Sequence, residues 1–138
     1  MALSLLLSSN ALAASPVDNF ATCLVDNLNG KERKALAKWL FFAMASHPEI
    51  KAFSKISSQD TEASDQNVAA LVTRLLTENC PAELKVAHKA NPQAIEKGFE
   101  LVGQVAMQEL MSNGDVNSTI MGYSKYIDES KLASILVD

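Results

Sequence analysis

Sequence motifs that carry a specific chemistry are scarce in this chain. Its 138 residues include two histidines, His47 and His88, and five scattered glycines. A zinc site takes about three or four His, Cys or carboxylate ligands at short spacing, and a phosphate-binding loop takes clustered glycines. The serines form no G-x-S-x-G motif of the kind that holds a nucleophile. We therefore expect no catalytic residue, metal or cofactor, and a protein that is not an enzyme.

Clustered positive charge and long apolar runs are lacking as well. The chain has 12 Lys and Arg against 16 Asp and Glu, a net charge of −4. Nucleic-acid binding depends on basic clusters that neutralise phosphates, and the one such group, residues 31–38, includes Glu32 and fits a solvated helix face. No stretch reaches the ~20 apolar residues of a membrane span. We expect no nucleic-acid partner and no integral membrane segment in the mature chain.

The first residues are typical of an export signal. Leu3–Leu7 form a short apolar run, and Ala11-Leu12-Ala13 fits the A-x-A rule for signal-peptidase cleavage. The sequence therefore predicts a signal peptide over residues 1–13 and a periplasmic or secreted protein. No Lys or Arg precedes the leucines, which leaves two alternatives open: a start site further upstream, or a cytosolic protein with an apolar N-terminal helix.

Two cysteines, Cys23 and Cys80, have no metal-type spacing and form no C-x-x-C motif. In an oxidising compartment the simplest interpretation of such a pair is a disulfide. The alternative, which a cytosolic location would require, is two buried reduced thiols.

Helix start and stop signals follow one another along the mature chain. Ser15-Pro16 followed by Asp18 predicts one helix start, and Asn29 followed by Glu32 predicts a capping box for the next. Apolar residues recur at helical spacing, and no run alternates as a strand would. We expect a single all-α domain over residues 14–138, a compact bundle of about six to eight helices. Residues 57–67 are expected to form a loop, and Asp115 and Asp128 to cap the last two segments.

The second helix contains the most apolar stretch, Lys38–Ile50. Lys31, Lys34 and Lys38 form a polar row whose continuation meets apolar residues, so this half of the helix should be buried on every side. Either the protein's own helices surround it or another chain covers the last side. The candidate apolar surface or pocket consists of Trp39, Phe41, Phe42, Met44 and Ala45. His47-Pro48 fits the end of one helix and the start of another.

Two polar residues fall on apolar helix faces. By helical counting, Glu109 lies between Val102 and Val105. A carboxylate in that position is either solvated, a ligand site, or paired with Arg74, His88 or a lysine. His88 lies on a mildly apolar face, where a partly buried histidine is the usual outcome. His88 and Glu109 are therefore candidate polar core residues.

Cys23, the stretch "KALAKWLFFAMASHPEI" and "LVTRLLTENCP" together resemble an uncharacterised family of small exported α-helical proteins of Gram-negative bacteria. In that family a W-x-x-x-A-M-x-x-H-P helix lies between two cysteines, and the similarity spans most of the mature chain. The resemblance implies export and a disulfide, and it implies no activity.

From these observations we expect a non-enzymatic exported protein that acts by protein binding, either as a homodimer or on another envelope protein. The alternative is a periplasmic carrier of a small apolar ligand held near Trp39, Phe42 and Met44. An enzyme using His88 and Glu109 ranks last, because no motif supports it.

Overall fold

The computed structural model describes residues 14–137, and its first two helices begin at the predicted caps. At the start of α1 (Pro16–Asp26), the Asp18 amide donates to Ser15 Oγ at 3.1 Å, and the Ser15 amide donates to the Asp18 carboxylate at 3.3 Å. Asn29 and Glu32 form the same reciprocal pair at the start of α2 (Gly30–Ala45). Both boxes join residues three apart, so they depend on local sequence alone.

The described chain is built from helices and contains no strand. The remaining elements are α3 (Pro48–Lys51), α4 (Ser58–Arg74), a π-helical turn (Leu75–Asn79), α5 (Pro81–Ala90), α6 (Ala94–Met111), α7 (Gly114–Met121), a 3₁₀ turn (Gly122–Tyr126) and α8 (Glu129–Ile135). A disulfide joins Cys23 and Cys80. The predicted all-α fold and the predicted disulfide are therefore confirmed. The predicted signal peptide lies outside the described residues.

The expected loop over residues 57–67 is wrong, because α4 begins at Ser58. The Ser57 amide donates to the Asp60 carboxylate at 2.9 Å, and the Asp60 amide donates to Ser57 Oγ at 3.0 Å. Hydrogen bonds donated to the Asp60 carboxylate by the Ser57 backbone amide and, next in size, by the Ser57 hydroxyl, with a smaller contribution from the charge of Lys38, hold the pKa of Asp60 below its ordinary value. A third capping box therefore starts a helix within this polar stretch.

The cap of α7 also differs by two residues from the prediction. Asn113 Oδ1 accepts from the amides of Asp115 and Val116 at 2.9 and 3.2 Å, so Asn113 is the N-cap and Asp115 lies in the first turn. The cap of α8 is Asp128, as predicted, since its carboxylate accepts from the Lys131 amide.

Residues 14–27 and 72–102 form one compact unit. The Cys23–Cys80 disulfide closes it, and the Arg74 guanidinium donates to the Asn27 carbonyl and to Asn79 Oδ1, both at 3.0 Å. Its buried apolar residues come from α1, the π-helical turn, the junction at Cys80, α5 and α6: Phe20, Ala21, Leu24, Leu75, Cys80, Ala87, Ala94 and Val102. The disulfide therefore ties together the ends of elements that already share a core.

Gly98 on α6 belongs to this core. A β-carbon built on it would lie 2.6 Å from Phe20 Cε1 and 3.1 Å from Leu24 Cδ1. Because real β-carbons do not approach other atoms so closely, glycine allows α6 to contact the side chains of α1 at this point.

Residues 28–71 and 103–137 form the second compact unit. Its buried residues are Leu28, Leu36, Ala37, Ala45, Ser64, Val68, Leu71 and Ala106. Leu36, Ala37 and Ala45 lie on α2, Ser64, Val68 and Leu71 on α4, and Ala106 on α6, so three helices and Leu28 contribute to this core. The prediction of a single domain over residues 14–138 stays a prediction.

No helix within residues 14–137 combines the length and the apolar character needed to cross a bilayer.

Candidate binding surface

Two of the five candidate residues on α2 have structural roles. Ala45 is buried in the core of the second unit. The half-buried Trp39 donates from its indole Nε1 to the Asp65 carboxylate on α4 at 2.8 Å. A short hydrogen bond to a charged acceptor holds the ring on α4, so Trp39 joins two helices of its own unit.

Phe41 and Met44 are open to solvent. Their exposed fractions are 50% and 47%. Of the two alternatives for this half of α2, complete burial by the described residues of the same chain is therefore excluded at these two side chains, and cover by another chain stays a prediction. The exposed row on α2 begins with Lys31, Lys34 and Lys38 and continues through Phe41.

The chain that follows α2 adds further apolar surface. His47 caps α3, its Nδ1 accepting from the Glu49 amide at 3.2 Å, which confirms the interpretation of His47-Pro48 as a helix junction. Beyond it, Ile50 and Phe53 are exposed, Phe53 by 89%. Phe41, Met44, Ile50 and Phe53 together are called the α2–α3 surface below.

A groove of ≈ 430 Å³ opens beside the end of α2. Phe42, Ala45 and Ile56 supply its apolar lining, while Lys51, Thr61 and serines 46, 54, 57 and 58 supply polar groups. Phe42 is half-buried and Ala45 is buried. Of the five candidate residues, these two line the groove.

The C-terminal segment, residues 113–137, contains no buried residue. Its exposed apolar side chains are Ile120, Met121, Tyr123, Tyr126, Ile127, Leu132, Ile135, Leu136 and Val137, and Tyr126 is exposed by 80%. They occur at the helical spacing that elsewhere in this chain marks a core face. The segment is helical and apolar, and no other described residue buries these side chains.

The two candidate polar core residues differ in how far their side chains are buried. His88 on α5 is exposed, so its assignment to the core is wrong: its helix turns Ala87 inward and leaves His88 in solvent. Glu109 on α6 is half-buried, and its carboxylate lies 4.0 Å from Arg33 Nε on α2. Glu109 is thus paired, although with Arg33 rather than with Arg74, His88 or a lysine. A pair this solvated contributes little stability.

Cys23, Cys80 and Glu83 are the one group of described residues close enough to share an ion, with ligand atoms within 4.8 Å of one another. Metal binding requires thiolates. Because the two sulfurs are bonded to each other, this group is a disulfide beside a carboxylate.

Sequence reasoning missed the exposure of the C-terminal segment, since the spacing of its apolar residues is the same as in buried helices. It also missed the Ser57 capping box, although the S-x-x-D pattern of residues 57–60 is a recognisable helix start. Sequence spacing indicates which side chains share a face, and it does not indicate what covers that face.

Comparisons of the chain with protein-family models, with curated proteins and with solved structures find no match.

Proposed function

We propose that this chain is an exported, non-enzymatic α-helical protein that acts by binding another protein chain through its C-terminal segment. The observation that carries the proposal is the exposure of apolar side chains throughout residues 113–137. Tyr123 and Tyr126 add large, rigid rings to this surface, and such rings are enriched at the energetic centres of protein interfaces.

The amount of exposed apolar surface favours a binding role. The largest apolar patch on a typical monomer is about 300–600 Å². Nine large apolar side chains of the C-terminal segment are each exposed by 42% or more, and side chains of this kind present on the order of 100 Å² each at that exposure. The segment therefore exposes on the order of 900 Å² of apolar side chain in all, which is more than one such patch contains.

Three observations support the proposed export. The Cys23–Cys80 bond is of the kind that persists in oxidising compartments. Helix α1 begins at Pro16, so cleavage after Ala13 would leave every described helix intact. The resemblance to exported Gram-negative proteins suggests the periplasm. N-terminal sequencing of the protein from a cell-envelope fraction tests this part, and a sequence beginning with Met1 would contradict it.

Binding itself is tested by photocrosslinking in the cell. A photoreactive phenylalanine analogue at Tyr126 should give a discrete protein adduct, because this ring lies on the exposed apolar side of the segment. The matched control is the same analogue at Val86, an exposed apolar position on α5. Absence of any adduct at Tyr126, or equal adducts at both positions, would contradict the proposal.

The groove favours a second candidate function, carriage of a small apolar ligand. Its ≈ 430 Å³ lies within the range of about 300–1,000 Å³ that small-molecule sites occupy, and Phe42, Ala45 and Ile56 offer apolar contacts. Native mass spectrometry of freshly purified protein should then show a bound molecule that Phe42→Ser removes. Unliganded protein in every preparation would exclude this function.

A further inference from the structure

We propose that the partner of the C-terminal segment is a second copy of this chain, with α8 of each copy packed on α2 of the other. This inference rests on the proposed function and names its partner. Both helices lie in the second unit, and in the single chain both proposed contact faces are exposed.

The face of α8 is acidic at its start and apolar at its end. Glu129, Leu132 and Leu136 recur at i, i+3 and i+7, which places them in one row along the helix. All three are exposed, and Leu136 follows the last residue of α8 directly. The row runs about 10 Å at 1.5 Å per residue.

The face of α2 has the matching order. Lys34, Lys38 and Phe41 recur at i, i+4 and i+7, are all exposed, and also cover about 10 Å. When the two helices run parallel, Glu129 of one copy lies beside Lys34 of the other, and in the same register Leu136 lies beside Phe41. Leu132 then lies against the alkyl chain of Lys38, as long basic side chains permit.

The net charges of the two chain regions that contain these faces also agree with this pairing. Residues 30–55 contain six Lys and Arg against two Glu, a net charge of +4, while residues 113–137 contain three acidic residues against two Lys, a net charge of −1. An anionic membrane surface is a poor match for the C-terminal segment, because binding there requires an excess of Lys and Arg. The basic α2 is a better electrostatic match for the C-terminal segment.

Two copies are sufficient to close the assembly. Each chain has one α8 row and one α2 row, so a two-fold arrangement covers both rows on both copies and leaves none to recruit a third. The contact covers the α2–α3 surface together with Leu132, Ile135, Leu136 and Val137, side chains that are exposed by 46–89% in the single chain. It removes on the order of 800 Å² of apolar surface per copy from water. A standard stable interface buries about that much on each side.

Analytical ultracentrifugation of the mature protein over a range of concentrations tests the inference. Wild type should be a dimer, and Leu136→Asp should weaken dimerisation by at least a hundredfold, because each interface would bury a carboxylate against Phe41. Val86→Asp, an equal change at an exposed position on α5, should leave the dimer intact. Unchanged far-ultraviolet circular dichroism in both variants shows that the helices persist.

A charge exchange tests the register itself. Lys34→Glu and Glu129→Lys should each weaken dimerisation by about tenfold, since either puts like charges together at two symmetric places. The double variant should return to the wild-type dissociation constant. Lys89→Glu alters the net charge as Lys34→Glu does, at an exposed site on α5, and should change nothing. Failure of the double variant to recover would overturn the proposed pairing.

The outcome is separable from that of the proposed function. A monomer at every concentration, with the Tyr126 adduct carrying a different protein, would overturn the second copy and leave the binding function standing. An adduct of twice the chain mass that Leu136→Asp eliminates supports both.

Discussion

The unit that the Cys23–Cys80 disulfide closes has apolar residues at helical spacing, and so does the C-terminal segment. These residues are buried in the first and exposed in the second. In the first, Phe20 and Leu24 on α1 pack inside a core with Leu75 and Ala87. In the second, Leu132 and Leu136 stand in solvent with no buried neighbour in residues 113–137. The comparison shows that amphipathic spacing requires a partner surface without specifying whose. Where the same chain supplies that surface the pattern becomes a core, and in residues 113–137 the same pattern stays exposed.

The largest effect should come from the disulfide. Replacing both Cys23 and Cys80 with Ala removes a cross-link between residues 57 apart, which should lower the free energy of unfolding by about 4 kcal/mol in the chain-entropy model. Urea denaturation of oxidised wild type and of the double variant measures it. Reduced wild type should match the variant, and a loss below about 1 kcal/mol would show that the shared core holds the unit without the bond.

A matched pair of Leu→Ala substitutions tests the comparison directly. Leu24 is fully buried and Leu136 is exposed by 74%. Leu24→Ala should lower the free energy of unfolding by about 3–4 kcal/mol, because it removes buried surface and leaves a cavity. Leu136→Ala should change the same free energy by no more than about 0.5 kcal/mol. Both are measured by urea denaturation at a concentration low enough to keep the chain monomeric. Equal losses would mean that the C-terminal segment is packed on its own chain.

Two glycines of α6 should respond with opposite signs. Gly98→Ala places a methyl group 2.6 Å from the fully buried Phe20 ring, so it should destabilise the protein by about 1–2 kcal/mol in spite of alanine's better helix propensity. Gly103 has nothing within 4 Å of a built β-carbon, and Gly103→Ala should gain up to about 1 kcal/mol. Thermal unfolding of both variants measures the difference. Stabilisation by Gly98→Ala would contradict the close contact between α6 and α1.

The smallest effect concerns the cap of α4 in the second unit. Because the folded-state pKa of Asp60 is lowered, its ionised carboxylate contributes stability at every pH above the ordinary aspartate value of about 4. That contribution is lost as the pH falls through the folded-state pKa. Asp60→Asn should therefore be less stable than wild type at neutral pH and should approach it in acid.

The control for this pH dependence is Ser57→Ala, which removes the hydrogen bond from the Ser57 hydroxyl to the Asp60 carboxylate and keeps the larger cause of the pKa shift, the hydrogen bond from the residue 57 backbone amide. In that background Asp60→Asn should have a smaller effect at neutral pH than it has in the wild-type protein. Denaturation curves for the four proteins at several pH values measure both effects, and a difference that grew in acid would contradict the assigned direction.

Helix starts were the most predictable feature of the fold. The boxes at Ser15 and Asn29 follow from residues three apart, and the sequence alone identifies them. The polar composition of residues 57–67 predicts a loop, whereas the S-x-x-D pattern at Ser57 predicts the helix start that the structure contains. The Asn113 cap was misplaced for a related reason: Asn and Asp are near-equal caps, so composition could not choose between Asn113 and Asp115.

The candidate site was less predictable, because its residues are defined by what lies beside them. The sequence placed Phe41 and Met44 on an apolar half-helix, and the structure shows that both side chains are about half exposed. Glu109 was recognised as unusual, yet its partner Arg33 lies 76 positions away in the chain. No local pattern connects residues so far apart.

The sequence by itself determined the all-α class, the main helix starts and the apolar face of each helix, because these depend on interactions within one or two turns. Only the tertiary structure decided which faces are covered: Leu24 and Ala87 buried beside the disulfide, Phe41 and Leu136 left in water. Burial depends on the surface that the rest of the chain brings to a helix, and that surface is assembled from residues far apart in sequence.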